Sequence, residues 1–479
     1  MATSIIKSLN EQLKNKSLSV INLKTDAIAK ANKYQSDYNA FVTITDCEVS
    51  SSVTNILSGI PYSLKDNFST KGILTTASSN ILKNYIPSYD ATVVKKLNSL
   101  GAVLIGKTVL DELAMGGSGT TGHTGIVKNP YDKDRLIGGS SAGSAASVAL
   151  GIVPYSIGSD TGDSIRKPAG YAGVVGYKPT YGLISRHGLF PFACSLDTVG
   201  VITKSVMDAA IVVNEIKGKD LKDMTSVNSE NIDLIKNIDS SIKGKKLFYI
   251  KEICDKSSYE ETDDELDSVL SNFEGLLSVI KKEGVIVEGV SIDKTLLNAL
   301  YPSYMTISSA EATSNNANLT GLIFGERALG KNVDEVVFNS RTNGFSELIK
   351  RRFILGSYVL QKENQEKLYL NAKRVRRMIV DVMNDLFSRY DALIMPSSGF
   401  PPKFNEKADV LSDKYLLLEN HLVIGNFGGF PSITIPYKIV NKLPLGINLT
   451  SRVLSDDKIM NLAHSLEGII DFKGVDHFE

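Results

Sequence analysis

Two clusters of glycine and hydroxyl residues decide how this chain reads. The first is Gly138-Gly-Ser-Ser-Ala-Gly-Ser-Ala-Ala-Ser147; the second, after the apolar run Val148 to Ile157, is Gly158-Ser-Asp-Thr-Gly-Asp-Ser-Ile-Arg166. Glycine lets a backbone turn sharply and approach a ligand closely, and a serine hydroxyl can donate, accept or attack. Such a pair of clusters predicts a site built mainly from backbone amides and hydroxyls. Alone, the first cluster would pass for a linker, but the apolar run after it makes it the start of an ordered helix. Two uses for that helix start remain open, a phosphate nest and catalysis by a serine. In the second cluster Asp160 and Asp163 are a two-carboxylate candidate for a divalent metal, and the backbone amides of Thr161 to Ser164, turned to one side, would form an oxyanion hole.

Outward from this stretch the pattern is α/β. Residues 4–35 read as one or two short polar helices. Asn39 to Thr45 and Ile60 to Leu64 read as strands, the second ending at Lys65. Between Asp90 and Leu100, Val93, Val94, Leu97 and Leu100 recur at helical spacing; Gly101 is placed to end that helix, and Ala102 to Ile105 follow as a buried strand. The same logic returns with Leu266 to Ile280 on one helical face, Gly284 as the stop and Val285 to Val290 as the strand. Lys217 to Lys246, rich in Lys, Asp, Asn and Ser, predicts a solvated connection with one helix. A third part begins near Tyr301. It predicts a helix over Glu366 to Tyr390, whose Lys373, Arg374, Arg376 and Arg377 form a solvated face or a partner contact. Strands follow at Ala392 to Met395, Ser432 to Pro436 and Leu445 to Thr450, and a last helix at Asp456 to Glu467. No linker composition divides the chain, so one large domain over 1–479 is expected.

Composition narrows the function classes. Lys+Arg and Asp+Glu are both 53, for a formal net charge of zero, which argues against nucleic-acid binding driven by this chain's own charge. Cys47, Cys194 and Cys254 are scattered without Cys-x-x-Cys spacing, which points to a reducing compartment. The opening residues carry no secretory pattern, and no run reaches the ~18 apolar residues of a membrane span. The expectation is a cytoplasmic protein with no membrane contact.

The sequence holds no His-Glu-x-x-His, no Cys/His zinc spacing and no Walker-type phosphate loop, so no metal site is expected. His123, His187, His421, His464 and His477 are scattered, with structural or surface roles favoured and no visible Ser-His-Asp motif. A lysine can replace histidine as the base if burial lowers its pKa from ~10.4. Lys65, in Pro61-Tyr-Ser-Leu-Lys-Asp-Asn67, sits at a strand end from which it can point inward.

Lys65-Asp-Asn, Gly138-Gly-Ser-Ser and Gly158-Ser-Asp-Thr-Gly-Asp-Ser-Ile-Arg together resemble the amidase signature family, whose members hydrolyse amides with a Ser–cis-Ser–Lys triad. The spacings of 75 and 24 residues between Lys65, Ser140 and Ser164 match that family. The resemblance implies an α/β fold with a large mixed β-sheet core covered by helices on both faces, a short N-terminal helical segment at about 1–35 and a catalytic core at about 39–467. It makes Ser164 the nucleophile, Ser140 the bridging serine on a cis peptide and Lys65 the base, with Thr161, Gly162, Asp163 and Ser164 as the oxyanion hole. Ala142 and Asp163 stand where the family usually has glycine. A carboxylate facing inward would oppose a developing oxyanion, so the Asp163 side chain is expected to turn away, toward Arg166 or Lys167.

Within the family, Asp111-Glu-Leu-Ala-Met-Gly, Lys178-Pro-Thr-Tyr-Gly-Leu-Ile-Ser-Arg-His-Gly-Leu, Phe192-Ala-Cys-Ser-Leu-Asp, Glu311-Ala-Thr-Ser-Asn and Arg351-Arg-Phe-Ile-Leu-Gly are similar to the glutaminase subunits of tRNA-dependent amidotransferases. That resemblance implies glutamine as the ammonia source, two other subunits in a heterotrimer, and misacylated tRNA handled mainly by a partner. No cofactor is implied in this chain; ATP and Mg would be used by the partner. Free glutamine carries one charge of each sign, so its pocket needs a cation and an anion. The resemblance offers Arg352 for the carboxylate, Glu419 for the ammonium and Tyr304 as a pocket hydroxyl. The rival expectations are a stand-alone amidase acting on other small amides, and a non-enzymatic scaffold with a decayed site.

Overall fold

A computed structural model describes residues 4–260, 262–403 and 416–474; His477 lies outside the described residues. Among these, eleven strands form one continuous sheet: β1 (Phe41–Ile44), β2 (Pro61–Lys65), β3 (Val103–Thr108), β4 (Tyr155–Asp160), β5 (Val175–Lys178), β6 (Thr198–Thr203), β7 (Lys246–Ile250), β8 (Ile286–Val290), β9 (Ala392–Pro396), β10 (Ser432–Val440) and β11 (Leu443–Thr450). Their spatial order is β1-β3-β2-β4-β6-β5-β10-β11-β9-β7-β8. The sheet is mixed. β3, β2 and β4 run parallel to one another, as do β9, β7 and β8. β1 joins β3 antiparallel, and the pairings from β4 through β6, β5, β10 and β11 to β9 are antiparallel too.

Helices cover both faces, and one pair of residues on β5 shows why. A side chain built on Gly176 would meet Ala169 of the helix Arg166–Tyr171. The next residue, Tyr177, points the other way and donates to Asp456, which opens the helix Asp456–Ile470. This is the two-residue alternation of a strand, with an apolar or tightly packed layer on each side.

The predicted α/β units are present with boundaries moved by a few residues. The helix Thr92–Ser99 leads through Gly101, at φ 72°, into β3, and Asp264–Lys282 leads through Gly284, at φ 83°, into β8. Asp263 accepts from the Leu266 N–H at the start of the second helix, a standard N-terminal cap. Two readings are corrected. Residues 217–245 contain turns but no helix; buried Ile232, Leu234, Ile238 and Ile242 pin the segment down in place of regular structure. Arg376 does not join the solvated face of the helix Asn371–Arg389. Its guanidinium turns inward to donate to Phe427 O at 2.9 Å and to Ser195 Oγ and O at 2.8 and 3.0 Å, whereas Arg374 and Arg377 pair with Glu366 and Asp381 at the surface. Among the described residues no helix is long and apolar enough to cross a membrane.

Candidate active site

β2 and β4 are adjacent and parallel, with Leu64 opposite Ile157, so their carboxyl ends open at the same place, where α/β folds gather ligands. Lys65 ends β2. The loop Thr161–Ile165 leaves the end of β4, and the helix Ala142–Ala149 packs over both strands. That helix consists of Ala, Gly, Ser and one Val, which lets it lie very close: a side chain at Gly143 would collide with the backbone of Ala40 and Val109. Its hydroxyls pair with the sheet beneath, Ser147 with Ser63 at 2.8 Å and Ser144 with Thr108 at 2.8 Å.

At this junction the three predicted residues come together. Lys65 Nζ donates to Ser140 Oγ at 2.7 Å and to Ser159 O and Oγ at 3.0 Å. The Gly139–Ser140 peptide is cis. The Ser141 N–H donates to Ser164 O at 3.0 Å, tying the second cluster to the first. All three side chains are buried. Burial pushes the Lys65 amine down to about 7, against Asp160, Asp111, Asp197 and Asp163, which favour its ammonium. Near neutrality a large fraction of this amine is therefore unprotonated and able to take a proton through the Ser140 hydroxyl. Among the described residues no hydrogen bond engages the Ser164 hydroxyl, and none of the backbone N–H groups of Thr161 to Ser164 donates within the chain. A run of amides with no acceptor beside a free hydroxyl is the arrangement that stabilises an oxyanion.

The loop is held from behind. Asp160 Oδ2 accepts from the Ile165 N–H at 2.9 Å, and Arg166 grips both Asp160 oxygens at 2.9 and 3.1 Å while donating to Gly162 O at 2.7 Å. Asn426 donates to Asp160 Oδ1 at 3.0 Å and accepts from Arg166 at 2.6 Å. Burial alone would raise Asp160; the Arg166 guanidinium overrides it and holds the carboxyl at about 2. On the other side Thr161 donates to Asp197 at 2.7 Å, whose carboxyl burial pushes up to about 6. These contacts overturn two of the open readings. The Asp160 and Asp163 carboxylates face Arg166 and Lys167, so they form no shared divalent site, and the N–H groups of Ser141 and Gly143 face Ser164 O and Val109 O, so the helix start is no phosphate nest.

Asp163 turns away as expected, to Lys167 Nζ at 2.8 Å. Tyr304 lies against Gly162, its ring 3.0 Å from where a side chain there would begin; burial raises its phenol, and Arg352 opposes that rise. Arg352 stacks 5.5 Å above the Phe192 ring, and among the described residues its buried Nε has no partner. Glu419 belongs to the same region but is already occupied. Its Oε1 accepts from the Gly399 N–H at 2.8 Å, and its Oε2 from Tyr171 OH at 3.0 Å with Lys167 Nζ at 3.4 Å.

Sequence reasoning missed Ser159, Asn67, Arg166, Asp197 and Asn426. Ser159 and Arg166 stand within the second glycine–hydroxyl cluster and Asp197 within Phe192-Ala-Cys-Ser-Leu-Asp, so their presence was visible but not their partners. Asn67, which donates to Ser159 Oγ at 2.9 Å, follows Lys65 by two residues. Asn426 lies in an apolar segment that gave no signal.

Comparison with known proteins adds a second line. The family model described as Amidase matches residues 12–460. The glutamyl-tRNA(Gln) amidotransferase A-subunit of Thermotoga maritima is 40% identical over 410 residues, covering 85% of this chain and 84% of that protein. The protein of the same name from Ruthia magnifica is 37% identical over 480 residues, covering 98% and 97%. Among solved structures, the Thermotoga maritima A-subunit superposes with a TM-score of 0.78 at 35% identity, covering 95% of this chain and 93% of that one. The peptide amidase of Stenotrophomonas maltophilia shares the fold, with a TM-score of 0.79 at 23% identity, covering 100% and 99%. With a match of that extent and relatives this similar along almost its whole length, the chain belongs to the amidase family.

Proposed function

We propose that this chain is the glutamine-hydrolysing subunit of a tRNA-dependent amidotransferase. The observation that carries the chemistry is the buried Lys65–Ser140 hydrogen bond beside the unengaged Ser164 hydroxyl and the free amides of its loop; similarity along the chain to glutamyl-tRNA(Gln) amidotransferase proteins supports the substrate. In this reading Ser164 Oγ attacks the side-chain amide carbon of glutamine. Its proton passes through Ser140 Oγ to Lys65 Nζ, while the N–H groups of Thr161 to Ser164 hold the oxyanion. The C–N bond then breaks, the proton returns to the leaving nitrogen, and ammonia departs. Water attacks the resulting glutamyl ester by the same relay and frees glutamate. Arg352, with donors to spare, takes the substrate carboxylate, and Tyr304 walls the pocket over Gly162. Ammonia passes to a partner in a heterotrimer, which uses ATP and Mg to amidate Glu-tRNA(Gln), and Asp-tRNA(Asn) if that substrate is also served. This setting is cytoplasmic.

The test measures ammonia and glutamate released from glutamine and from a panel of simple amides, with the chain alone and co-expressed with its partner subunits. Glutamine-selective release that rises with the partners and vanishes in Ser164→Ala is expected. Efficient hydrolysis of other amides by the chain alone would replace this reading with that of a stand-alone amidase.

A further inference from the structure

Beside Ser164 the structure gathers two carboxylates around one ammonium. Lys167 Nζ lies 2.8 Å from Asp163 Oδ2 and 3.4 Å from Glu419 Oε2. The cation is the enclosed member, with 5% of its side chain exposed, against 18% for each carboxylate. The two acids are the more exposed members, and the unit carries one negative charge more than it neutralises.

The carboxylates are not equivalent. Glu419 is bonded at both oxygens, by the Gly399 N–H, Tyr171 OH and Lys167. Asp163 has Lys167 on Oδ2, and its Oδ1 accepts from no described residue. Tyr304, packed against Gly162 next to Asp163, feels both the Asp163 carboxylate and the Arg352 guanidinium, and among the described residues the buried Arg352 Nε has no partner. The surroundings of Tyr304 thus hold a guanidinium and a carboxylate, each with one atom that no described residue engages.

We infer that Asp163 Oδ1 receives the ammonium group of the substrate, and that Glu419 acts as a positioning residue, fixing Lys167 and Tyr171 behind it. This rests on the reading of the chain as a glutaminase and moves the ammonium contact from Glu419 to Asp163. A carboxylate beside the nucleophile then serves recognition, and Lys167 keeps it from turning toward the oxyanion.

The experiment compares L-glutamine with glutaramate, the same amide lacking the amino group, as substrates of the full chain assembled with its partners. The readout is the ratio of the two kcat/KM values, from which any damage to the shared chemistry cancels. Asp163→Asn is expected to lower the glutamine preference about tenfold or more, the loss of one charge-assisted hydrogen bond. The double variant Asp163→Asn/Lys167→Gln removes the lysine charge as well and is expected to stay as impaired as the single variant, because the Asp163 carboxylate is still missing; a merely structural Asp163–Lys167 pair would let it recover, the single variant then having acted through an unbalanced Lys167. Glutamine binding to Ser164→Ala and to Ser164→Ala/Asp163→Asn, followed by calorimetry, gives the same comparison without turnover. An unchanged ratio in Asp163→Asn, or a double variant that recovers the preference, overturns the assignment while leaving the glutaminase reading intact. A wild-type enzyme that prefers glutaramate overturns both.

Discussion

Lys65 sets the pH range in which the site can work. Its amine, lowered by burial to about 7, is the proton acceptor only when neutral, so activity requires the deprotonated form. The kcat/KM profile for glutamine should therefore rise with pH and level off, with an apparent pKa of about 7 on its acid limb. Lys65→Arg keeps the charge but cannot deprotonate, and should lower kcat by about 10²–10⁴-fold, the usual worth of a general base. A profile without that limb, or an arginine variant close to wild type in rate, would remove Lys65 from the relay. At this scale the sequence was most readable where chemistry demands one residue type, as at Lys65, Ser140 and Ser164. It was least readable where residues only hold others in place. Nothing near Asn426 in the sequence says that it bridges Asp160 and Arg166, because that role exists only when two distant segments meet.

The helix Ala142–Ala149 is the element that brings Ser140 to Lys65, and its smallness is what permits this. Gly143→Ala introduces a carbon into space held by the backbone of Ala40 and Val109, neither of which can swing aside. A loss of about 1–3 kcal/mol in denaturant unfolding is expected, as for overpacking in general, with activity falling alongside it. Behind the neighbouring loop, Arg166→Ala strands the Asp160 carboxylate without its buried counter-ion and should cost about 3–5 kcal/mol, read from the same titration. The helix–glycine–strand units were legible because apolar spacing and a terminal glycine are local signals. Arg376 was misread because a basic cluster on a helix resembles a solvated face until a packing partner covers one side of it. The segment 217–245 was misread for the opposite reason: its polar composition gave no local sign that four buried isoleucine and leucine side chains, and no helix, would anchor it.

At the scale of the whole molecule, Lys65 and Lys178 are buried lysines that tie stability to pH. Lys178, which donates to Phe430 O at 2.6 Å and Pro179 O at 3.0 Å, is also pushed to about 7, first by burial and then by Arg166. In the unfolded chain both lysines stay protonated up to the ordinary value of 10.5; in the folded chain they release the proton at about 7. Between these limits unfolding takes up protons, so each group makes the fold more stable as pH rises, by up to about 1.4 kcal/mol per pH unit. Lys178→Met should flatten that rise, which denaturant titrations at about pH 7.5 and 9.5, set beside wild type, would show as a smaller gap between the two conditions; an equal gap would mean that Lys178 keeps its proton when folded. The mixed sheet itself was implied by resemblance, whereas its strand order had no local signature, since β10 and β11 join the middle of the sheet from the far end of the chain. The parallel pair β2 and β4 has a further consequence. Lys65 and the loop of Ser164 belong to strands with β3 and two α-helices between them in sequence, and they meet only when those strands lie side by side. Pairings between distant segments close late and slowly. The first amide cleaved after dilution from denaturant therefore reports that this long-range closure is complete, making the enzyme's own product a clock for the assembly of its core.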